Sequence, residues 1–139
     1  MTRGDSRTFG YSGTPLVRKL GIKPDARVQY VGAPKEFAAL VGPLPDGARL
    51  LSAGTLDFGI VFVKKMGDLA RKFVALRDRL ETNGMLWVAW PKRASGVETD
   101  VSENAVRAYG LDAGLVDVKV CAIDDTWSGL KFVRRLKDR

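Results

Sequence analysis

The chain has 139 residues, of which 45% are hydrophobic and 28% charged, with a formal net charge of +7 at pH 7. This balance excludes a disordered chain, and no apolar run approaches the ~20 residues a membrane-spanning helix needs, while a chain of this size buries roughly 68–70% of its unfolded surface and so builds a core without metals or bridges. One cysteine, Cys121, and no histidine exclude an intrachain disulfide, zinc sites and Ser-His or Cys-His nucleophile systems.

The start, "MTRGDSRTFG", lacks the apolar stretch of a secretory signal, so a cytoplasmic location is expected. One domain over residues 1–139 is expected, with 1–13 as a flexible or capping segment. Thr14 and Pro15 predict a helix N-cap and first-turn pair, and Gly21 after "LVRKL" predicts its stop. "IKPDARVQYVG" supplies a turn and a first strand at about Arg27 to Val31; Pro34 then opens a helix through Val41, which "GPLPDG" breaks. A short strand near Arg49 to Leu51 precedes "DFGIVFV" at 57–63, whose unbroken apolar character suits a strand covered on both faces.

Asp68 to Glu81 reads as the clearest helix, with Leu69, Phe73, Leu76 and Leu80 on one face and Asn83-Gly84 ending it. "MLWVAW" is the next buried strand, stopped by Pro91, and places Trp87 and Trp90 in the core. Asp100 with Glu103 three residues later resembles a capping box for a helix running to about Leu111. Two last strands, near 115–123 and 129–136, are joined by "DDTWSG" and alternate apolar with charged residues, the pattern of a hairpin with one partly solvated face. Cys121 falls in the first of them and reads as a small buried hydrophobe.

Helices alternating with strands predict an α/β fold, a mostly parallel sheet flanked by helices with a C-terminal antiparallel hairpin, an arrangement that resembles Rossmann-like methyltransferases. One connection resists this pattern. Only "SAGTL" separates Leu51 from Asp57, whereas a parallel crossover normally takes a dozen or more residues, so the short strand either pairs antiparallel or is a rudimentary edge.

At "YSGTPLVRKLGIKP", "LWVAWPKRASGVETD" and "GLVDVKVCAIDDTWSGLKFVRRL" the sequence closely resembles a bacterial family catalogued as domain of unknown function 3052 (DUF3052). That resemblance implies a small cytoplasmic domain and no particular activity. The more distant likeness to Rossmann-like methyltransferases implies a Gly-rich turn after the first strand and a carboxylate after the second. Here the turn is "VGAPKEF", with Gly32 followed by Ala33 and Pro34, and the second strand runs into "LLSAGT" with no carboxylate before Asp57. Both parts of that signature are missing, so no cofactor, metal or catalytic residue is expected. No Walker loop occurs either, and Asp124-Asp125 reads as a solvated turn.

Ligands of open α/β sheets bind outside the carboxyl ends of the strands. If the strands at 85–90 and 115–123 run parallel with the final strand inserted between them, "PKRASG" and "DDTWSG" meet at that edge. The candidate site is therefore Lys92, Arg93, Ser95, Gly96, Thr126, Trp127, Ser128 and Gly129: two cations, hydroxyls, exposed amides and an aromatic plane, suited to a nucleotide or an exposed base. Tyr11, Ser12, Gly13 and Thr14 form a candidate lid. Basic charge concentrates at the chain ends, with six Lys/Arg against two Asp in residues 1–27 and five against one in 131–139, which favours phosphate-rich partners. Three functional classes stay open: a module binding an anionic partner (nucleotide, nucleic acid or acidic protein), an S-adenosylmethionine-dependent methyltransferase-like enzyme with a divergent pocket, and an assembly subunit pairing through a sheet edge.

Overall fold

The two unbroken apolar runs become the central strands of one six-stranded sheet. The computed structural model describes residues 14–139. In chain order the elements are α1 (Leu16–Leu20), β1 (Arg27–Val31), α2 (Phe37–Val41), β2 (Arg49–Leu50), β3 (Leu56–Phe62), α3 (Met66–Arg77), β4 (Leu80–Pro91), α4 (Glu103–Asp112), β5 (Leu115–Ala122) and β6 (Trp127–Arg134). The strand order is β2-β1-β3-β4-β6-β5. The first four strands in that order are parallel, and β6 runs antiparallel to both neighbours, so β5 points the same way as β4.

Each face of the sheet carries its own core. Phe58, Ile60, Phe62, Trp87 and Ala89 pack with Leu20, Phe37 and Val41 of α1 and α2. Leu56, Val61, Leu86, Val88 and Trp90 pack with Leu69, Phe73, Leu76 and Val106 of α3 and α4. Period-two alternation therefore puts apolar residues on both sides of β3 and β4, which is why their sequences show no polar alternation. The Trp87 indole donates to the Leu20 carbonyl (2.9 Å), which satisfies its N–H in a fully buried position. Cys121 and Trp90 are buried as expected.

Several boundaries differ from the sequence-based expectation. The N-cap of α1 is Pro15, one residue later than expected, because its carbonyl already accepts from Arg18 and Lys19 (both 3.0 Å). Helix α2 begins at Phe37, its first-turn amide bonding the Pro34 carbonyl (2.9 Å). Helix α3 spans Met66–Arg77 and not 68–81; Leu80, at helical spacing from Leu76, instead opens β4 opposite Leu56, still inside the α3-side core. Asn83-Gly84 consequently lies within β4, at a register shift against β3. A Cβ at Gly84 would sit 3.1 Å from the Asp57 and Glu81 carbonyls, so glycine admits a close backbone approach there.

Asp100 does not cap α4. Ser102 does, accepting from the Ala105 amide (3.2 Å), while the Asp100 carboxylate crosses over to accept from Met66 at the start of α3 (2.8 Å). Strand β2 pairs parallel with β1 through Arg27↔Arg49 and Val28↔Leu50, so the rudimentary-edge alternative holds and the antiparallel one does not. Finally, β6 starts at Trp127, inside the stretch expected to be a turn.

Candidate ligand-binding edge

Because β1, β3, β4 and β5 share one direction, the segments that follow them open on one edge. The Lys92 amide donates to the Thr126 carbonyl (2.7 Å), tying the segment after β4 to the β5–β6 turn. Asp124 shapes that turn by accepting from the Thr126 and Trp127 amides (both 2.8 Å). Ser95 closes a single 3-10 turn at Arg93–Ser95: its hydroxyl donates to the Lys92 carbonyl (2.6 Å) and accepts from Val97 (3.2 Å), and Gly96 exits at φ 77°. Lys92, Arg93, Ser95, Gly96 and Thr126 are thus brought together, with the Ser95 hydroxyl engaged by its own turn.

The remaining predicted residues take other positions. Trp127 is buried at the end of an aromatic row, Tyr30, Phe37, Phe62, Trp127, with successive edge-to-face centroid distances of 5.0, 4.8 and 5.1 Å. Its ring is buried against Phe62, so it is not a free stacking platform. Ser128 lies between Trp90 and Ala122, and Gly129 between Ala89 and Cys121, both within the sheet. A Cβ at Gly129 would come 3.0 Å from the Trp87 ring, which accounts for that glycine by packing. Arg93 and Gly96 border a groove of about 490 Å³ that leads to Ser102 and Glu103 at the start of α4. Of the candidate lid, Tyr11, Ser12 and Gly13 lie outside the described residues, and Thr14 directly precedes Pro15.

A crevice that the sequence reading did not single out opens between the ends of β1 and β3. It measures about 290 Å³ and is lined by Gly32, Pro34, Phe62, Val63, Lys64, Asp68, Lys72 and Trp127. From β1 the chain proceeds outward to β2, whereas β3 leads the opposite way to β4, so this crevice is the topological switch point of the sheet. Gly32 has φ 68°, and a Cβ there would meet the Phe62 carbonyl at 3.0 Å and the Lys72 ammonium nitrogen at 3.6 Å. Glycine is required on both counts, and Lys72 of α3 reaches across the opening toward β1. None of Lys64, Lys72, Lys92 and Arg93 forms an ion pair among the described residues; Asp68, the acidic group of the lining, faces Arg71 (3.4 Å). The available signal in the sequence was Lys64-Lys65 directly after an apolar strand, which looks like ordinary solvated charge.

No group of three or more His, Cys, Asp or Glu is placed to hold a metal ion among the described residues, and no helix there is long and apolar enough to cross a membrane.

A family model described as "Protein of unknown function (DUF3052)" matches residues 52–136. No curated protein matches the sequence. Among solved structures, the fold is similar to a SAM-dependent methyltransferase from Aquifex aeolicus (15% identity, TM-score 0.61, covering 84% of this chain and 86% of that one). It is also similar to precorrin-6y C5,15-methyltransferase from Geobacter metallireducens (12%, 0.61, 86% and 86%). A third is fibrillarin from Aeropyrum pernix with natively bound S-adenosyl-L-methionine (17%, 0.58, 85% and 73%). At these identities the likeness is one of fold.

Proposed function

The chain belongs to the family described as "Protein of unknown function (DUF3052)", and we propose that it is a Rossmann-like module that binds a small anionic ligand in the crevice between β1 and β3. The observation that carries this reading is the pairing of a switch-point crevice with two lysines, Lys64 and Lys72, that form no ion pair among the described residues. At about 290 Å³ the space suits a phosphate-bearing fragment or a compact nucleotide, since ligand pockets commonly span roughly 300–1,000 Å³. Lys92 and the Thr126 turn border the same edge and extend the positive field outward.

The residues fit S-adenosylmethionine poorly. The segment after β1 offers a single glycine, and Pro34 has no amide to donate. Helix α2 has only five residues, a short helix with which to receive a ligand carboxylate. The segment after β2, residues 51–55, supplies no carboxylate for ribose hydroxyls, and Asp57 is bound by Arg27 through two side-chain contacts (2.8 and 2.9 Å). A sulfonium ligand would also place positive charge beside Lys64 and Lys72. No methyl-transfer step is therefore derived. The fold likeness keeps an S-adenosyl ligand as the second reading.

Thermal unfolding of the whole chain at low salt, with pyrophosphate, ADP or S-adenosylhomocysteine at saturation, separates the two. A ligand at about 100 times its Kd adds roughly 2.7 kcal/mol to the folded state. Pyrophosphate or ADP is expected to raise Tm, and Lys72→Met to abolish the rise while leaving the ligand-free Tm in place. A rise with S-adenosylhomocysteine alone, insensitive to Lys72→Met, would replace this reading with the methyltransferase-like one.

A further inference from the structure

The sheet face under α1 gathers four lysines that lie outside the crevice. Lys19 comes from the last turn of α1, Lys23 from the turn into β1, Lys119 from β5 and Lys131 from β6. The β5–β6 register sets Lys119 directly opposite Lys131. Residues so paired have Cβ atoms about 4.5–5.5 Å apart, and like charges in that position are destabilising. Alternation fixes the face: Cys121, two residues beyond Lys119, and Trp87, the β4 partner of Lys131, both belong to the core beneath α1 and α2.

Two of the four have structural work. The Lys119 ammonium donates to the Lys19 carbonyl and the Lys19 ammonium to the Ala122 carbonyl, both at 3.1 Å, fastening the end of α1 to β5. Lys131 and Lys23 have none: no hydrogen bond or ion pair holds either ammonium among the described residues. Lys131 is half-buried, and its pKa is pushed below the usual lysine range by that burial and then by the charges of Lys119 and Lys23. Among the described residues no carboxylate forms an ion pair with them; Asp57, which lines a cavity with Lys23, is held by Arg27 (2.8 Å). Asp117, also on β5, projects to the other face and bonds Arg107 of α4 (2.9 Å), and Asp25 abuts Gly47 in the neighbouring turn. A fold that keeps two lysines opposed with no acid between them carries a repulsion that an anion would relieve.

We propose that Lys23, Lys119 and Lys131, with Lys19 beside them, form a second anion surface that takes adjacent phosphate groups of a polyphosphorylated ligand. This surface lies under α1 and shares no residue with the crevice of Lys64 and Lys72. Among the described residues no exposed aromatic ring accompanies it, since Trp87 is fully buried, and the surface is read as one for phosphate. The phosphates can belong to a nucleic-acid backbone or to a free oligophosphate chain.

The test measures binding of the full chain to a labelled DNA duplex by anisotropy, and to tripolyphosphate by calorimetry, across a salt series. Each duplex phosphate neutralised contributes about 0.9 to the slope of log K against log salt. Lys23→Gln with Lys131→Met is expected to flatten that slope by about 1.8 and to weaken low-salt binding by about tenfold or more. Lys137→Gln with Arg139→Gln removes the same charge at the chain end and is expected to change neither. Relief of the Lys119 repulsion should leave the Tm of Lys131→Met unchanged or higher, and the exposed Lys23→Gln alone repeats the test if that variant misfolds. Where the Lys23/Lys131 variant loses binding, duplex binding that tripolyphosphate fails to displace identifies a backbone, and tripolyphosphate binding without duplex binding identifies a free chain; both support the surface. Equal losses in the two double variants, or no binding of either probe by the unaltered chain, overturn it.

Discussion

Gly110 lies inside α4, where alanine would favour the helix by about 1 kcal/mol. Its missing side chain is where the Phe132 ring sits: an added Cβ would collide with the Phe132 ring atoms, and Phe132 is itself fully buried between α3, α4 and β6. Gly110→Ala is therefore expected to destabilise the fold by about 1–3 kcal/mol despite its better helix propensity, measured by urea unfolding. Arg27 and Asp57 give a pH-dependent counterpart. The Arg27 side-chain hydrogen bond, aided by its amide and by the charges of Arg27 and Arg49, holds the Asp57 carboxyl below the usual range, against the opposing effect of burial. A depressed carboxylate contributes stability above its unfolded pKa of about 3.9 and loses it as pH falls through the lower folded value. Asp57→Asn should thus lower stability at neutral pH and flatten the loss below about pH 4, read from Tm across acid buffers. At this scale the core tryptophans Trp87 and Trp90 were legible from their apolar run. Trp127 was not, because its polar neighbours Asp124 to Thr126 describe the turn while its own ring joins the aromatic row. Lys72 was illegible for a related reason: on an amphipathic helix an outward lysine looks solvated, and only the position of β1 turns it into a crevice residue.

Between elements, the segment after β4 holds the start of α3. Thr99 donates to the Lys64 carbonyl (2.6 Å) and Asp100 accepts from the Met66 amide (2.8 Å), so one loop caps a helix that begins 34 residues earlier in the chain. Losing a side-chain cap of this kind costs about 0.5–2 kcal/mol. Asp100→Ala should lose that amount in urea unfolding, and because Lys64 sits in the loop being held, it should also shrink the Tm rise produced by pyrophosphate. Capping-box spacing pointed Asp100 at its own helix, and spacing along the chain contains no sign of a cap given to a different one. The α3–β4 boundary failed for the same reason: Leu80 satisfies both the helical period and the strand that buries it on the same face. The five-residue connection from β2 to β3 has a plain geometric account. Leu50 is level with Val28 and Phe58, so the chain steps back two residues and across two strand spacings, roughly 12 Å, to reach Leu56. Five residues reach about 17 Å, so a strand cut to two residues needs no crossover helix.

For the whole molecule, the alternation of elements and the apolar weight of β3 and β4 made the sheet legible, while the insertion of the last strand between 85–90 and 115–123 came from the methyltransferase likeness. The family match, by contrast, begins at residue 52, inside the sheet and after β1, α1, α2 and β2. That boundary does not coincide with a folding unit. Without residues 14–51, β3 becomes an open edge, and Phe58, Ile60, Phe62 and Trp87 lose the helices that cover them, while the Trp87 indole loses the Leu20 carbonyl. Exposing four such side chains costs on the order of 6–12 kcal/mol. A whole domain is stable by only about 5–15 kcal/mol, so residues 52–139 alone should give no cooperative thermal transition and should bind a hydrophobic dye, whereas residues 14–139 should melt cooperatively. Cooperative melting of the shorter fragment would mean that the α3–α4 side supports the sheet alone. The α1–α2 layer would then be an addition to an autonomous core, and the two anion surfaces, both of which require residues from that layer or from β1, would belong to the addition.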